Sequence, residues 1–266
     1  MIRIKLKIDS EAITSLFESY KEFIDEAVVK ITQKGLESIA CDRAMVCVFS
    51  ISIPKEKFEH FEVEKEEKLG LNLATFVDIL KRAGKESITL EYEEHKRLTI
   101  KINNRTFTMA LLDITEEEIP PIETLEFKSS FKIKSKILTT AISDGKLNSD
   151  TVWFETDNST LRLHSEGDIA KNETILDKYN ENLLNLKGTG KAQYPIDYLE
   201  KLKLEKFSDE VLVEFSEQAP CKINFLGGFL ILAPRVVEEE TESSEKSEKL
   251  EEEESEEVEQ ESKDIT

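Results

Sequence analysis

The chain has 266 residues, of which 39% are hydrophobic and 35% charged, and its formal net charge is −20 at pH 7. Its three cysteines (Cys41, Cys47 and Cys221) include no Cys-x-x-Cys pair, which argues against a disulfide framework or zinc knuckle and favours a reducing cytoplasm. The N-terminal ten residues alternate apolar and basic side chains, unlike a signal peptide, and no apolar run of about 18 residues is present to span a membrane.

Apolar residues at helical spacing predict four amphipathic helices, two in each half of the chain. Those of the first half are marked by Ile13, Leu16, Phe17, Tyr20 and Ile24, and by Leu73, Phe76, Val77 and Leu80. In the second half, a third and shorter helix is predicted near Ser135–Ser143. The fourth begins with Pro195 and buries Ile196, Leu199 and Leu202. Period-two alternation in residues 87–113 predicts a β-meander with turns at 93–96 and 103–105.

The predicted elements recur at a nearly constant offset of about 121 to 123 residues. The strand–turn–strand unit Val28–Asp42 corresponds to Thr151–Asp168, and the strand Ile88–Tyr92 corresponds to Val211–Phe215. The helix at 74–83 matches the one at 195–204, and "TFTMALLDITEEE" matches "GFLILAPRVVEEE". The ordered series predicts a duplication of two α+β domains.

Composition places the domain boundaries. The acidic, proline-containing segment near 113–127 has no clear period, as expected of a linker. We therefore predict an N-terminal domain at 1–113, a connector at 114–127 and a C-terminal domain at 128–237. Residues 237–266 hold 15 Asp or Glu and three Lys, so we predict a disordered acidic tail at 238–266.

Motifs for catalysis are missing from the sequence. It contains no P-loop and no strand-linked Gly-x-Gly-x-x-Gly, and the "KGTGK" stretch at Lys187–Lys191 is interpreted as a solvated turn. The three histidines lie far apart, without metal-ligand spacing. Asp42 and Asp168 hold matching repeat positions, where capping of a turn is the favoured interpretation. We expect no catalytic centre, no metal site and no cofactor.

Basic residues on the polar faces of the predicted helices favour a different function. They are Lys21, Lys81, Arg82, Lys136, Lys201 and Lys203. If the helices share one surface, it would be locally positive on a net acidic body, which suits weak, sequence-independent contact with a nucleic-acid backbone. Acidic neighbours argue against tight binding; they are Glu18, Glu22, Asp78, Asp197 and Glu200.

Three segments carry a likeness to a known family: "ACDRAMVCVFSISIP" (Ala40–Pro54), "LGLNLATFVDILKRAGKESITL" (Leu69–Leu90) and "LAPRV" (Leu232–Val236). They resemble the proliferating cell nuclear antigen family of DNA sliding clamps, and the archaeal branch in particular. The likeness follows the chain from Met1 to Val237. It implies an α+β fold with two similar domains per subunit, antiparallel sheets outside, helices lining the inner face, and a ring of three subunits.

The resemblance also implies function and sites. A clamp is a non-enzymatic processivity factor that encircles duplex DNA and tethers DNA polymerase, clamp loader, flap nuclease and DNA ligase through short peptide motifs. The implied peptide pocket comprises Cys41, Met45, Val46, Ile119, Pro120, Pro220, Leu232, Ala233, Pro234 and Val236. The implied subunit interface joins an edge strand at Arg105–Leu112 to one near Asn172–Tyr179. Its residues are Arg105, Phe107, Met109, Leu111, Thr174, Leu176 and Lys178.

Two departures from the family pattern stand out. A connector position that is usually apolar is Glu117, and helix positions that often carry basic residues are Thr14, Ser15 and Asp197. A weakly basic subunit with an acidic tail is compatible with a homotrimer or with a heterotrimer of clamp paralogues. The sequence leaves two alternatives to a clamp: a metal-dependent hydrolase that uses surface carboxylates, and an acidic adaptor that forms no ring.

Overall fold

Helices form where apolar residues recur three and four positions apart, because only this spacing gathers them on one face. The computed structural model describes residues 2–93, 97–115 and 118–235. Met1–Arg235 is one compact unit. The α-helices of the described residues are α1 Ser10–Tyr20, α2 Leu73–Leu80, α3 Ser135–Gly145 and α4 Ile196–Lys201.

Many of the β-strands alternate buried side chains with more exposed ones, as expected of sheets with one face on a core. In chain order, those of the described residues are β1 Ile2–Ile8, β2 Glu26–Thr32, β3 Gly35–Cys41, β4 Cys47–Pro54, β5 His60–Val63, β6 Glu67–Asn72, β7 Ile88–Glu93, β8 Arg97–Ile102, β9 Arg105–Ala110, β10 Ser129–Lys134, β11 Thr151–Asp157, β12 Thr160–Glu166, β13 Lys171–Asp177, β14 Leu183–Lys187, β15 Thr189–Pro195, β16 Glu210–Phe215, β17 Cys221–Phe225 and β18 Gly228–Leu232.

The same series of elements occurs twice. A strand, a helix, five strands, a helix and three strands run from β1 to β9, and the order repeats from β10 to β18. The prediction of two similar α+β halves is thereby confirmed, while the boundaries of the domains stay a prediction. The meander predicted at 87–113 is present as β7, β8 and β9.

Three antiparallel sheets arrange these strands. A five-stranded sheet has the order β5-β1-β7-β8-β9, and a four-stranded sheet has the order β13-β12-β11-β15. The third sheet has nine strands in the order β14-β10-β16-β17-β18-β4-β3-β2-β6, and it contains strands from both halves of the chain. The halves join where β18 pairs with β4, with Leu230 opposite Phe49. The last strand of the fold is therefore interior to its largest sheet.

The four helices lie in one row. Rings of Phe17 on α1 and Phe76 on α2 meet edge-on at 5.0 Å between centroids, and α3 contacts α4. Across the two halves, the Ser19 hydroxyl donates to the Leu202 carbonyl oxygen at 2.6 Å, just after α4. The order is thus α2, α1, α4, α3, so the four helices are neighbours, as the charge argument requires.

All four helices differ from their predicted extents. The helices predicted to run to 83 and 204 end at Leu80 and Lys201, and Pro195, the predicted first residue of the fourth helix, is the last residue of β15 instead. The prediction of a shorter third helix was wrong: α3 has 11 residues and is as long as α1. Its buried face continues at helical spacing through Leu138, Ala141, Ile142 and Gly145. A β-carbon at Gly145 would lie 2.5 Å from the Ser165 hydroxyl. Glycine often marks the end of a helix, but here Gly145 allows the last turn of α3 to pack beside Ser165. In the first half, Ile24 is buried but lies beyond α1.

The chain changes its pairing partner after β18. The Ala233 N–H still donates to the Val46 carbonyl oxygen at 2.9 Å, continuing the pairing with β4. Pro234 has no N–H to donate. The Arg235 N–H then donates to the Gln193 carbonyl oxygen of β15 at 2.7 Å. Glu117, the pocket residue Val236 and the tail at 238–266 lie outside the described residues.

Candidate functional site

The turn that joins β3 to β4, residues 42–46, presents an exposed methionine. Met45 is 64% exposed and takes a left-handed backbone with φ 57°. The buried Asp42 carboxylate holds this turn, because its Oδ1 accepts from the N–H groups of Val46 and Cys47, each at 2.8 Å. The turn-capping role predicted for Asp42 is confirmed, and its matched residue Asp168 is exposed.

Beside this turn lies an apolar patch on the sheet face opposite the main core. Cys41, Val48 and Ile231 form its buried centre, one residue from each of β3, β4 and β18. Five half-buried residues pack against them: Ile39, Phe229 and the connector residues Ile119, Ile122 and Leu125. Sequence reasoning found only Cys41 and Ile119 of this patch. Ile39, Val48, Phe229 and Ile231 could have been found from period-two alternation, since every second residue of a central strand faces away from the core. Ile122 and Leu125 belong to the connector, where no strand period applies.

A cavity of about 300 Å³ adjoins the patch, beneath the start of the connector. Phe23, Ile39 and Cys41 give it apolar walls. At its rim, Arg43 and Asp25 form an ion pair at 2.9 Å with both side chains exposed. The cavity therefore combines an apolar floor with a charged rim, as sites for short peptides commonly do.

The predicted pocket residues are only partly brought together. Cys41 and Ile119 share the patch and the cavity, and Val46 and Ala233 are joined by a main-chain hydrogen bond. Leu232 is fully buried in the main core. The predicted prolines occupy the surroundings: Pro120 is exposed, and Pro220 and Pro234 are half-buried.

Ion pairs reduce the positive charge on the row of helices. Lys81 lies 2.7 Å from the Glu18 carboxylate, and Lys203 lies 3.1 Å from that of Glu22. Burial by itself would raise the pKa of Glu18, but the hydrogen bond from Lys81 and the charge of Lys206 lower it overall. The hydrogen bond to Glu18 in turn raises the pKa of Lys81. The surface is therefore less positive than a count of its lysines suggests.

The remaining predicted basic residues stand on the same row. Lys21 is half-buried at the C-terminal end of α1, and Arg82 and Lys136 are exposed. Lys201 is exposed and lies over the ring of Tyr198, with Nζ 5.3 Å from the ring centroid. All six predicted residues thus belong to, or directly follow, one of the four helices.

The predicted interface strands are both edge strands. β9 ends the five-stranded sheet and β13 ends the four-stranded sheet, so each has one edge without a partner strand in the described chain. Along β9, Arg105 is exposed, Phe107 is half-buried and Met109 is buried, and Leu111 is half-buried just beyond it. On β13, Thr174 is half-buried and Leu176 is buried, and the exposed Lys178 follows.

Exposed apolar residues near β13 were not among the named interface residues, although Ile175 and Tyr179 lie within the predicted segment Asn172–Tyr179. Ile175 on the strand is 51% exposed, and Tyr179 and Ile169 beside it are 85% and 100% exposed. At the other edge, Ile79 and Phe107 line an open cleft with Arg82 and Arg105. No periodicity indicates such residues, because their exposure depends on which strand lies at the edge of a sheet.

Neither metal binding nor membrane insertion is supported by the described residues. Among residues 2–93, 97–115 and 118–235, no group of three His, Cys, Asp or Glu side chains is placed to hold a metal ion. Within the same ranges, no helix combines the length and apolar character needed to cross a bilayer.

Proteins similar to this chain include archaeal DNA sliding clamps. Residues 1–117 match the family model described as the N-terminal domain of proliferating cell nuclear antigen. "DNA polymerase sliding clamp 3" of Sulfurisphaera tokodaii is 31% identical over 250 residues, covering 88% of this chain and 99% of the relative. The "DNA polymerase sliding clamp" of Thermococcus fumicolans is 31% identical over 243 residues, covering 83% and 97%.

Solved structures agree in fold. A complex of PCNA2 and PCNA3 from Sulfolobus tokodaii has a chain 30% identical with a TM-score of 0.79, covering 87% of this chain and 99% of that one. PCNA of Thermococcus kodakaraensis is 25% identical with a TM-score of 0.80, covering 87% and 100%. PCNA of A. fulgidus, bound to the C-terminal region of FEN-1, is 23% identical with a TM-score of 0.82, covering 89% and 100%.

Proposed function

Since the chain belongs to the family of DNA polymerase sliding clamps, we propose that it is one subunit of a ring that encircles duplex DNA and tethers replication and repair enzymes. The observation that carries the proposal is the row of four helices formed by two similar halves, within a family likeness that spans most of the chain. A ring retains DNA by topology, so its lining needs only weak contact with phosphates.

DNA contact is assigned to the basic residues of the helix row. They are Lys21, Lys81, Arg82, Lys136, Lys201 and Lys203. The ion pairs to Glu18 and Glu22 leave these residues a modest net charge, which favours sliding over tight binding. Contacts to phosphate alone carry no sequence preference.

Partner docking is assigned to the apolar patch, the adjoining cavity and the β3–β4 turn. The aromatic or aliphatic anchor of a short peptide would fit the cavity of about 300 Å³, which has an apolar floor. The peptide would also contact the exposed Met45. By analogy with A. fulgidus PCNA bound to the C-terminal region of FEN-1, a flap nuclease is one proposed partner. DNA polymerase, clamp loader and DNA ligase are proposed to use the same site.

Ring closure is assigned to the edge strands. Antiparallel pairing of β9 with β13 of a neighbouring subunit would cover both open edges, and a head-to-tail contact of this kind closes a ring when the rotation suits. The heteromeric PCNA2–PCNA3 complex supports assembly with paralogues, and a homotrimer uses the same two edges. We propose three subunits in either case.

The proposed role is non-catalytic, and a clamp of this kind acts where the DNA is, at the nucleoid in the cytoplasm of an archaeal cell. The proposed domains are residues 1–113 and 128–237, joined by the connector 114–127 and followed by an acidic tail at 238–266. A hydrolase or a non-ring adaptor finds no support in the relatives, which are named sliding clamps.

Two measurements test the proposal together. Native mass measurement of the protein, alone and mixed with clamp paralogues from the same source, should give a particle of three subunits. Primer extension on circular single-stranded DNA should then yield longer products when the assembled ring and its loader are added. A monomer that joins no paralogue would instead favour the adaptor. Nuclease activity with a stoichiometric Mg²⁺ or Mn²⁺ site would favour the hydrolase.

A further inference from the structure

The Asp42 carboxylate is shared between the β3–β4 turn and helix α4. Its Oδ1 accepts the two main-chain N–H groups that hold the turn, while its Oδ2 accepts the Tyr198 phenol at 2.8 Å. Tyr198 lies 156 residues away, on α4 in the other half of the chain. One buried carboxylate therefore connects the β3–β4 turn of the docking site to α4 in the row of four helices.

Tyr198 has a different neighbour on each part of its side chain. The hydroxyl faces Asp42, and the ring carries Lys201, one turn along the same helix, at 5.3 Å. The Tyr198 ring also lies near the ring of Phe23, with 6.2 Å between the two centroids, and Phe23 lines the cavity. Burial and the bond to Asp42 raise the pKa of Tyr198 to about 12, so the phenol stays a donor at neutral pH.

The turn depends on this support, because Met45 holds a left-handed backbone. A non-glycine residue at φ 57° is strained and keeps this conformation only when its surroundings fix it. Asp42 fixes it through Val46 and Cys47. A change at Asp42 Oδ2 therefore alters the stability of the turn that exposes Met45.

From these contacts we propose that Tyr198 is a positioning residue that couples partner docking at the β3–β4 turn to DNA contact at Lys201. The inference rests on the proposed function, since it needs both the docking site and the DNA-facing helix. With its ammonium on the ring, Lys201 draws electron density from the phenol, which makes the hydroxyl a better donor to Asp42. A phosphate that attracts Lys201 away from the ring weakens that bond and loosens the turn.

The coupling has a defined sign. Duplex DNA lowers the affinity of the clamp for a docked peptide, and a docked peptide lowers its affinity for DNA by the same factor, as linkage requires. An exposed cation–π contact sets the size of this factor at roughly two- to fivefold. Partners would thus exchange more readily once the ring is on DNA.

A double-mutant cycle of Tyr198→Phe and Lys201→Gln tests the inference. The probe is a fluorescein-labelled peptide of the C-terminal region of A. fulgidus FEN-1, titrated with the assembled clamp. Lys201→Gln should weaken peptide binding two- to fivefold, although it lies on the helix row, and Tyr198→Phe should weaken it roughly five- to tenfold. In the Tyr198→Phe background, Lys201→Gln should have no further effect.

Matched variants separate positioning from general loss of structure. Tyr20→Phe removes another buried hydroxyl, bonded to Ser38 at 2.9 Å, and should leave peptide binding unchanged. Lys206→Gln removes a lysine that follows α4 and pairs with Glu18 of α1 at 3.5 Å, and its effect should be equal in both backgrounds. Additive effects of Lys201→Gln and Tyr198→Phe, or an equal loss with Tyr20→Phe, would overturn the inference.

A second readout does not need a peptide. Hydrogen exchange of the Val46 and Cys47 amides should speed up when a 30-base-pair duplex is added to the wild type, and Tyr198→Phe should abolish this response. If the peptide fails to bind while the amides respond, the docking assignment fails and the coupling through Tyr198 stands. If the amides do not respond to DNA, the coupling is wrong whatever the peptide does.

Discussion

Asp42 and Asp168 show how matching positions of a repeat acquire different roles. Asp42 is buried, and its carboxylate accepts three hydrogen bonds from Val46, Cys47 and Tyr198. Asp168 is exposed on the turn between β12 and β13. Both were predicted to cap turns; Asp42 does so, and it also accepts a hydrogen bond from Tyr198 of the other half of the chain.

Replacing Asp42 by Ala should therefore cost stability. The variant leaves buried N–H groups at Val46 and Cys47 without an acceptor, which should lower the free energy of unfolding by about 1–3 kcal/mol. Asp168→Ala, at the matched exposed position, should change it by less than about 0.5 kcal/mol. Urea denaturation of both variants measures the difference, and equal losses would contradict the role given to Asp42.

Glu210 on β16 should make stability depend on pH. Lys132 and Lys134 of the neighbouring strand β10 approach its carboxylate at 2.8 and 2.6 Å. Their hydrogen bonds lower the pKa of Glu210 from 4.5 to about 2. A carboxyl that ionises more easily in the folded state stabilises the fold above the unfolded pKa. That contribution disappears as the pH falls from about 5 to 2.

The matching experiment is denaturation across this pH window. Glu210→Gln removes the titrating group, so the loss of stability between pH 5 and pH 2 should be smaller than in the wild type. Glu205→Gln, at an exposed position after α4, serves as the control and should retain the wild-type slope. If both variants follow the wild type, the lysines do not act on Glu210 as described.

At the scale of elements, α2 offers the sharpest test of the DNA-facing row. Changing Lys81 and Arg82 together to Glu places negative charge where phosphates should pass, so clamp-stimulated primer extension should fall at least about tenfold. Lys55→Glu with Lys57→Glu makes the same change of net charge away from the helices. Native mass should show intact assembly for both, and loss of assembly in the α2 variant would place that helix at an interface.

The segment after β18 tests the docking site. Ala233 is half-buried, and its N–H donates to the Val46 carbonyl oxygen. Ala233→Arg should therefore place a charged side chain beside the β3–β4 turn. Peptide binding should weaken at least about tenfold, because a desolvated charge is costly at an apolar site. Thermal unfolding should stay close to wild type. Leu226→Arg, at a 59% exposed position between β17 and β18, should bind normally.

Periodicity predicted most elements because each depends on residues a few positions apart. The helix faces and the meander at 87–113 follow from spacing alone. Spacing does not indicate the contact of Asp42 with Tyr198, 156 residues apart, since it arises only when the two halves join. The same holds for the apolar patch, where Ile122 and Leu125 of the connector meet Ile231. Much of the candidate site is therefore tertiary in origin, and of the apolar patch the resemblance supplied only Cys41 and Ile119.

For the whole molecule, charge is distributed unevenly along the chain. Residues 237–266 carry a net charge of −12, and the other 236 residues share the remaining −8. A segment with so few apolar residues has little surface to bury. Deleting 238–266 should therefore leave the free energy of unfolding nearly unchanged. Calorimetry of the truncated and full chains checks this, and a fall in Tm of several degrees would mean that the tail packs on the clamp.

The place of β18 in the nine-stranded sheet has a consequence for biosynthesis. β4 leaves the ribosome early, yet its partner β18 is made about 180 residues later. Until then, β4 presents an open edge and an apolar face that includes Phe49. Pairing across such a separation is slow, and an open edge can join another chain. Until β18 is synthesised, a chaperone or a second nascent copy therefore has access to the open edge of β4. Pairing with β18 then closes that edge.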